Sequence, residues 1–254
     1  MVHNDIIRRT KNMMRSPIFP IAITLSILIG VIQTPDRGWV GRLYTFQAGQ
    51  PYMFQEPINL ELLMSWIFPH AFLSILIGKC MEADLQFARF MLPRYTSAFQ
   101  WWFRQCVATW LLVSVYYIAI NAGICMFSIL RDGAAVLWIS PIRNIHAFTL
   151  LWLITGMQVI VMCALTSMQL SFQSLTRISA LGVASFLLCM LLSVFFPVKG
   201  AEYLPGSWMM IVRSNLVNEY DGYLLWVACA SSVLFIGIVI VITYIGYRMR
   251  KNYW

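Results

Sequence analysis

Residues 222–247 read Gly-Tyr-Leu-Leu-Trp-Val-Ala-Cys-Ala-Ser-Ser-Val-Leu-Phe-Ile-Gly-Ile-Val-Ile-Val-Ile-Thr-Tyr-Ile-Gly-Tyr, 26 residues without an Asp, Glu, Lys or Arg. A strand of a membrane β-barrel alternates apolar and polar positions over about ten residues. The run at 236–242, Ile-Gly-Ile-Val-Ile-Val-Ile, is apolar on every face instead. A helix also satisfies its own backbone in hydrocarbon and needs roughly 20 such residues to cross it, within about 17 to 25. Residues 222–247 meet that requirement.

Outward from this segment, charge is also absent from 16–35, 62–78, 105–130, 144–176 and 178–198, and the six intervals hold 143 of the 254 residues. The chain is 60% apolar and 11% charged, against about 25% charged in soluble domains. A water-soluble core could not hide that surplus. The expected fold is an all-α integral membrane protein whose residues 16–254 form one domain of six transmembrane helices.

Six spans place both termini on one side. Twelve Lys and Arg fall on that side and six on the other; with the acids included, the two sides carry +9 and −1. Basic loops face the cytoplasm, so both termini are expected there. The overall charge of +8 then reflects topology and points to anionic lipid as a partner. No readout helix or base-stacking module argues for nucleic acid.

Residues 1–15 are expected to be retained, because the apolar stretch after them is long for a signal core and Gln33-Thr34-Pro35-Asp36 offers no small-x-small cleavage site. In a helix, Val2, Ile6 and Met13 share a face while Arg8, Lys11 and Arg15 point elsewhere. This pattern suits an amphipathic helix lying along the inner leaflet.

Much chemistry is missing. Cys80, Cys106, Cys125, Cys163, Cys189 and Cys229 are spread one or two to a span without Cys-x-x-Cys and read as small buried hydrophobes. His3, His70 and His146 are too few for a metal cluster without carboxylate help, and His-Glu-x-x-His does not occur. No span contains the Asp or Glu with which proton- or sodium-driven carriers hold a coupling ion. Asn121 and Gln158 are the strongest polar groups near span centres, and helix-to-helix hydrogen bonding is their expected role. A phosphate loop is absent too, since Gly78-Lys79 lacks both the first glycine and the hydroxyl of that motif. No cofactor is expected in this chain, and any ATP-driven work would need a separate subunit.

Between the second and third intervals lies a 26-residue cytoplasmic insert, 79–104, reading Lys-Cys-Met-Glu-Ala-Asp-Leu-Gln-Phe-Ala-Arg-Phe-Met-Leu-Pro-Arg-Tyr-Thr-Ser-Ala-Phe-Gln-Trp-Trp-Phe-Arg. Glu82 and Asp84 are expected to open a short helix, since acids favour a helix N-terminus. Phe87, Phe90 and Met91 follow on one face, and Pro93 stops it. Such a helix could fill a groove on a cytoplasmic partner or dip its aromatic residues into the lipid interface; the residues alone allow both.

This insert resembles the coupling segment of type-2 ABC exporter permeases, in which an acidic residue ends the second span, a short helix follows, and Leu-Pro with small or basic residues leads into a basic third span. Glu82, Leu92-Pro93-Arg94, Ser97 and Arg104 stand at those positions, while Asp84-Leu85 replaces the family's Gly-Thr. The resemblance implies that Glu82, Asp84, Phe87, Phe90, Met91, Pro93 and Arg94 couple the chain to a cytoplasmic ABC ATPase holding ATP and Mg. It further implies a homodimer or heterodimer of permeases, a bacterial cell membrane, and export of a hydrophobic or amphipathic cargo such as an antimicrobial peptide.

The outer segment 199–221 contains Tyr-Leu-Pro-Gly-Ser-Trp-Met-Met-Ile-Val-Arg, too apolar for a solvated loop, and resembles that family's re-entrant extracellular helices. Ser207 is expected to cap a short helix, with Trp208 and Ile211 packing over the spans and Arg213 snorkelling outward. Pro205, Trp208 and Ile211 would then form an outer gate. The rival expectation is a membrane-embedded enzyme or electron carrier using His70 and His146.

Overall fold

The computed structural model describes residues 2–32, 38–47, 49, 51, 59–87, 95, 97–132, 142, 145–195, 203–217 and 222–249, apart from the side chains of 2–4, 39 and 132. They form eight α-helices: α1 (Val2–Met14), α2 (Ile18–Ile32), α3 (Gly38–Gln47), α4 (Leu60–Gln86), α5 (Ala98–Asp132), α6 (Ala147–Thr176), α7 (Ser179–Phe195) and α8 (Leu225–Met249). Two 3-10 turns, Pro205–Met209 and Ile211–Arg213, precede α8. One parallel bridge joins Ser214 to Tyr223, and no strand occurs among the described residues.

Four helices, α4, α5, α6 and α8, are long and apolar enough to cross a membrane; a fifth span results if α2 and the part of α1 from Asp5, bent by 59°, are taken together. The chain is thus all-helical with four or five candidate spans, where the charge-free intervals predict six. The difference lies in α2 and α7, which have 15 and 17 residues. At 1.5 Å per residue these reach only about 22 and 25 Å, short of a hydrocarbon layer of about 30 Å.

Breaks between helices follow local chemistry. Pro17, which cannot donate a backbone hydrogen bond, separates α1 from α2, and the Phe19 amide bonds back to the Ser16 carbonyl at 3.0 Å. Arg177 adopts a left-handed conformation, φ 61°, and its amide closes α6 on Gln173 O at 2.8 Å. That single residue reverses the chain into α7. Gly182 lets the two helices approach closely, since a Cβ there would lie 2.7 Å from Gln169 O.

The central helix is α6, which packs against α3, α4, α5, α7, α8 and the first 3-10 turn. Lipid supplies no hydrophobic drive between helices, so small residues and interhelical hydrogen bonds take that role. Accordingly, α6 reaches four of these neighbours through four different polar side chains. Gln169 exchanges bonds with Ser74 of α4 (2.9 and 2.8 Å), Ser167 accepts from Trp110 Nε1 of α5 (2.9 Å), Gln173 donates to Ser179 O of α7 (3.1 Å), and Ser171 accepts from Thr243 of α8 (2.8 Å). By contrast α8 has an apolar outer face that includes Trp226, Val233, Leu234, Val241 and Ile242, all exposed.

Residues 36–61 join the charge-free intervals 16–35 and 62–78, and the charge pattern predicts an outer connection there. Part of it is α3, whose Val40, Arg42, Leu43, Phe46 and Gln47 are all buried and which packs among α2, α4, α5 and α6. Phe46 lies beside Gly30 and Ile124, so a methyl group at Gly30 would meet both.

Candidate functional site

Among the described residues, polar and charged side chains converge at three places. The first is the N-terminal helix against the insert. Asp84 sits in the last turn of α4, where Arg9 of α1 donates to Asp84 Oδ2 at 2.9 Å and Gln105 of α5 donates to the same oxygen. A second Arg9 nitrogen donates to Tyr95 Oη at 3.0 Å, and Tyr95 in turn donates to Asp5 Oδ2 at 2.7 Å. The Arg104 guanidinium lies over the Tyr95 ring, 4.8 Å from its centre, and 3.8 Å from Asp5. Four separate segments are thereby tied into one network.

The electrostatics reflect that network. Burial alone would push the Asp5 carboxyl up, but the Tyr95 hydroxyl and the Arg9 guanidinium outweigh it and hold it below its ordinary value. For Arg9, burial favours losing the proton, and Asp84, Tyr95 and Asp5 together reverse this so that its charge is held more firmly than usual.

Glu82 and Asp84 do not open a helix. They lie inside α4, which runs unbroken to Gln86 with Phe87 as its C-terminal cap. Acids in a last turn oppose the helix dipole; at Asp84 the Arg9 cation and the Gln105 amide compensate. Glu82 is exposed and Phe87 is 62% exposed, so both are accessible at the helix end. Phe90, Met91, Pro93 and Arg94 lie outside the described residues.

The second place is uncharged. Asn121 of α5 donates to Thr155 Oγ1 at 2.8 Å and to Gln158 Oε1 at 3.3 Å, and accepts from Gln47 Nε2 at 3.3 Å; Gln158 completes the ring by donating to Gln47 Oε1. Asn121 and Gln158 thus take the helix-joining role expected of them. Gln47, the last residue of α3, is the partner the sequence did not offer.

The third place is the outer cap. Pro205, Trp208 and Ile211 are buried, and Tyr223 Oη donates to the carbonyls of Trp208 and Met210 at 3.0 and 3.2 Å. Two expectations are corrected. The segment forms 3-10 turns with Leu204, not Ser207, at the N-cap. Arg213 is buried and does not snorkel outward; it donates to Ser193 O at 2.6 Å, Ser207 Oγ at 3.0 Å and Pro51 O at 3.2 Å. Ser193 lies in the last turn of α7, where carbonyls lack helical partners. A cation there complements the negative end of the α7 dipole.

His70 is buried beside Trp66 and Tyr117, ring centres 5.1 and 5.7 Å away, whereas His146 stacks on Phe148. Among the described residues no group of three or more His, Cys, Asp or Glu is placed to hold a metal ion. Compared with family models, with curated proteins and with solved structures, the chain finds no match.

Proposed function

We propose that this chain is the membrane subunit of an ATP-driven exporter, working as a dimer of permeases and driven by a separate cytoplasmic ABC ATPase that docks on the segment following α4. In this reading α2, with α1 lying in the interface, and the shorter α7 complete a set of six spans, with both termini in the cytoplasm. The observation that carries it is the end of α4: Phe87 and Glu82 are exposed while Asp84, two residues from Glu82, is tied to α1. An aromatic residue held out on a helix end fits a groove on a partner. Force applied there would pass through Asp84 and Arg9 into α1, and through Gln105 into α5.

Trp208 and Ile211 form the outer gate in this reading, and the cargo is hydrophobic or amphipathic. Purification of the tagged full chain from its native membranes tests the proposal. A co-purifying ABC ATPase with cargo-stimulated ATP hydrolysis supports it; a chain recovered without any nucleotide-binding partner, or binding ATP by itself at micromolar affinity, overturns it. A metal or haem spectrum in the purified chain would instead favour a membrane-embedded enzyme or electron carrier using His70 and His146.

A further inference from the structure

Helix α1 carries its cations on two different sides. Arg9 is buried and committed to Asp84 and Tyr95. Arg8 and Lys11 of α1 and Arg15, the residue just past its end whose amide still bonds Lys11 O at 3.0 Å, are all exposed and follow one another at intervals of three and four residues, which places them on one ridge spanning roughly 60° of the helix circumference. The Arg8 side chain is 69% exposed and meets Asp5 at 3.3 Å.

What borders this ridge gives it an orientation. On one edge are Ile7, 48% exposed, and the half-buried Met14; on the other are Asn12, exposed, and Asp5. Around the helix the order is therefore apolar, cationic, polar, which is the order met on passing from acyl chains through phosphates to water. Depth agrees with this order. Arg9 reaches Asp84 in the last turn of α4, where charged residues resume, and Thr10 donates to Ala108 O at 3.2 Å, one turn beyond Arg104 on α5.

We propose that Arg8, Lys11 and Arg15 form a binding ridge for the phosphates of anionic phospholipids, with Ile7 and Met14 resting in the acyl boundary. Guanidinium groups grip phosphate oxygens through paired N–H donors, and Lys11 between them adds a point charge. Because Arg9 fastens the opposite side of α1 to Asp84 and Tyr95, lipid held on the ridge steadies the end of α4 as well. The inference rests on the membrane reading of the chain and not on the exporter reading.

The test uses the full chain in nanodiscs of phosphatidylcholine alone or mixed with phosphatidylglycerol, with hydrogen exchange read at residues 5–15. Protection should rise with phosphatidylglycerol and fall with added sodium chloride. R8Q/K11Q/R15Q should lose that response, with roughly a hundred-fold weaker preference for the anionic lipid, and loosen the last turn of α4 with it, while exchange in the rest of α4, in α5 and in α6 stays as in the wild type. R8K/R15K should retain the response. Equal protection of wild-type α1 in both nanodiscs overturns the proposal, as does a triple variant that still responds. Protection reproduced by inorganic phosphate in phosphatidylcholine alone would make this a free-phosphate site and also overturn it. Should the triple variant fail to insert, the wild-type lipid and salt series decides. Loss of the lipid response leaves ATPase co-purification untouched, and absence of an ATPase leaves the lipid response untouched.

Discussion

Arg9 and Asp84, 75 residues apart, meet at 2.9 Å where the N-terminal helix crosses the end of α4. Arg9 is the one α1 cation on the side of Ile6 and Met13, and its side chain is 8% exposed against 38% for Asp84. Water screens the acid more than the base, so the pair alone is worth about 1 kcal/mol. Arg9→Gln and Asp84→Asn should each loosen α1, and the double variant should cost less than the sum of the two. Hydrogen exchange of residues 5–15 in a double-mutant cycle reads this; strict additivity would mean that the two side chains do not interact.

Asp5 makes the same junction acid-sensitive. Its pKa is lowered in the folded chain, with the Tyr95 and Arg9 bonds exceeding the opposing effect of burial. Its contribution is therefore present above the ordinary carboxylate value of about 4 and is lost as pH falls through the lower folded value. Protection of α1 should drop over that acid window, and Asp5→Asn should flatten the change. An unaltered acid profile in Asp5→Asn would assign the sensitivity to another group.

Much of this architecture was legible before any coordinates. Charge-free intervals located every long helix, because a residue facing lipid must be apolar whatever its neighbours are. The same rule says nothing about protein-lined depth, so α3 is not visible to it: Arg42 counts among the six outer cations, although the surrounding helices bury it together with Gln47. Arg213 was placed wrongly for a related reason. Snorkelling assumes water is the best partner, whereas the α7 end and Pro51 supply carbonyls. Arg9 did leave a signal, a cation on the apolar side of an amphipathic helix. Its partner could not be read, since nothing local links positions 9 and 84.

The buried amide ring gives a prediction about stability. Asn121→Ala removes the group that bonds Gln47, Thr155 and Gln158 together. Intramembrane hydrogen bonds average about 0.6 kcal/mol each, and stranded buried amides add to the loss, so a cost of about 2 kcal/mol is expected. Asn121→Ala combined with Gln158→Ala should cost less than the two separately. Reversible unfolding in mixed micelles measures both, and a neutral Asn121→Ala would show that α3 is held by packing alone.

At the outer cap, Trp208→Ala should lower cargo export, or uncouple it from ATP hydrolysis, while the complex with the ATPase still forms. Trp208 is buried and its carbonyl is held by Tyr223, so complex yield must be measured on the same variant. Unchanged export would remove the gate, and lost assembly would make Trp208 a folding residue.

The most direct test is made at Phe87. A photo-crosslinking amino acid placed at position 87 of the full chain, in intact native membranes, reports what that exposed side chain touches. If the chain is the exporter subunit proposed above, a crosslink to a cytoplasmic ABC ATPase is expected, weakened when Glu82→Ala is added, because an aromatic anchor in a protein groove is worth about 2 kcal/mol or more and its neighbours set its approach. Crosslinks to lipid alone would contradict it and return Phe87 to the membrane interface.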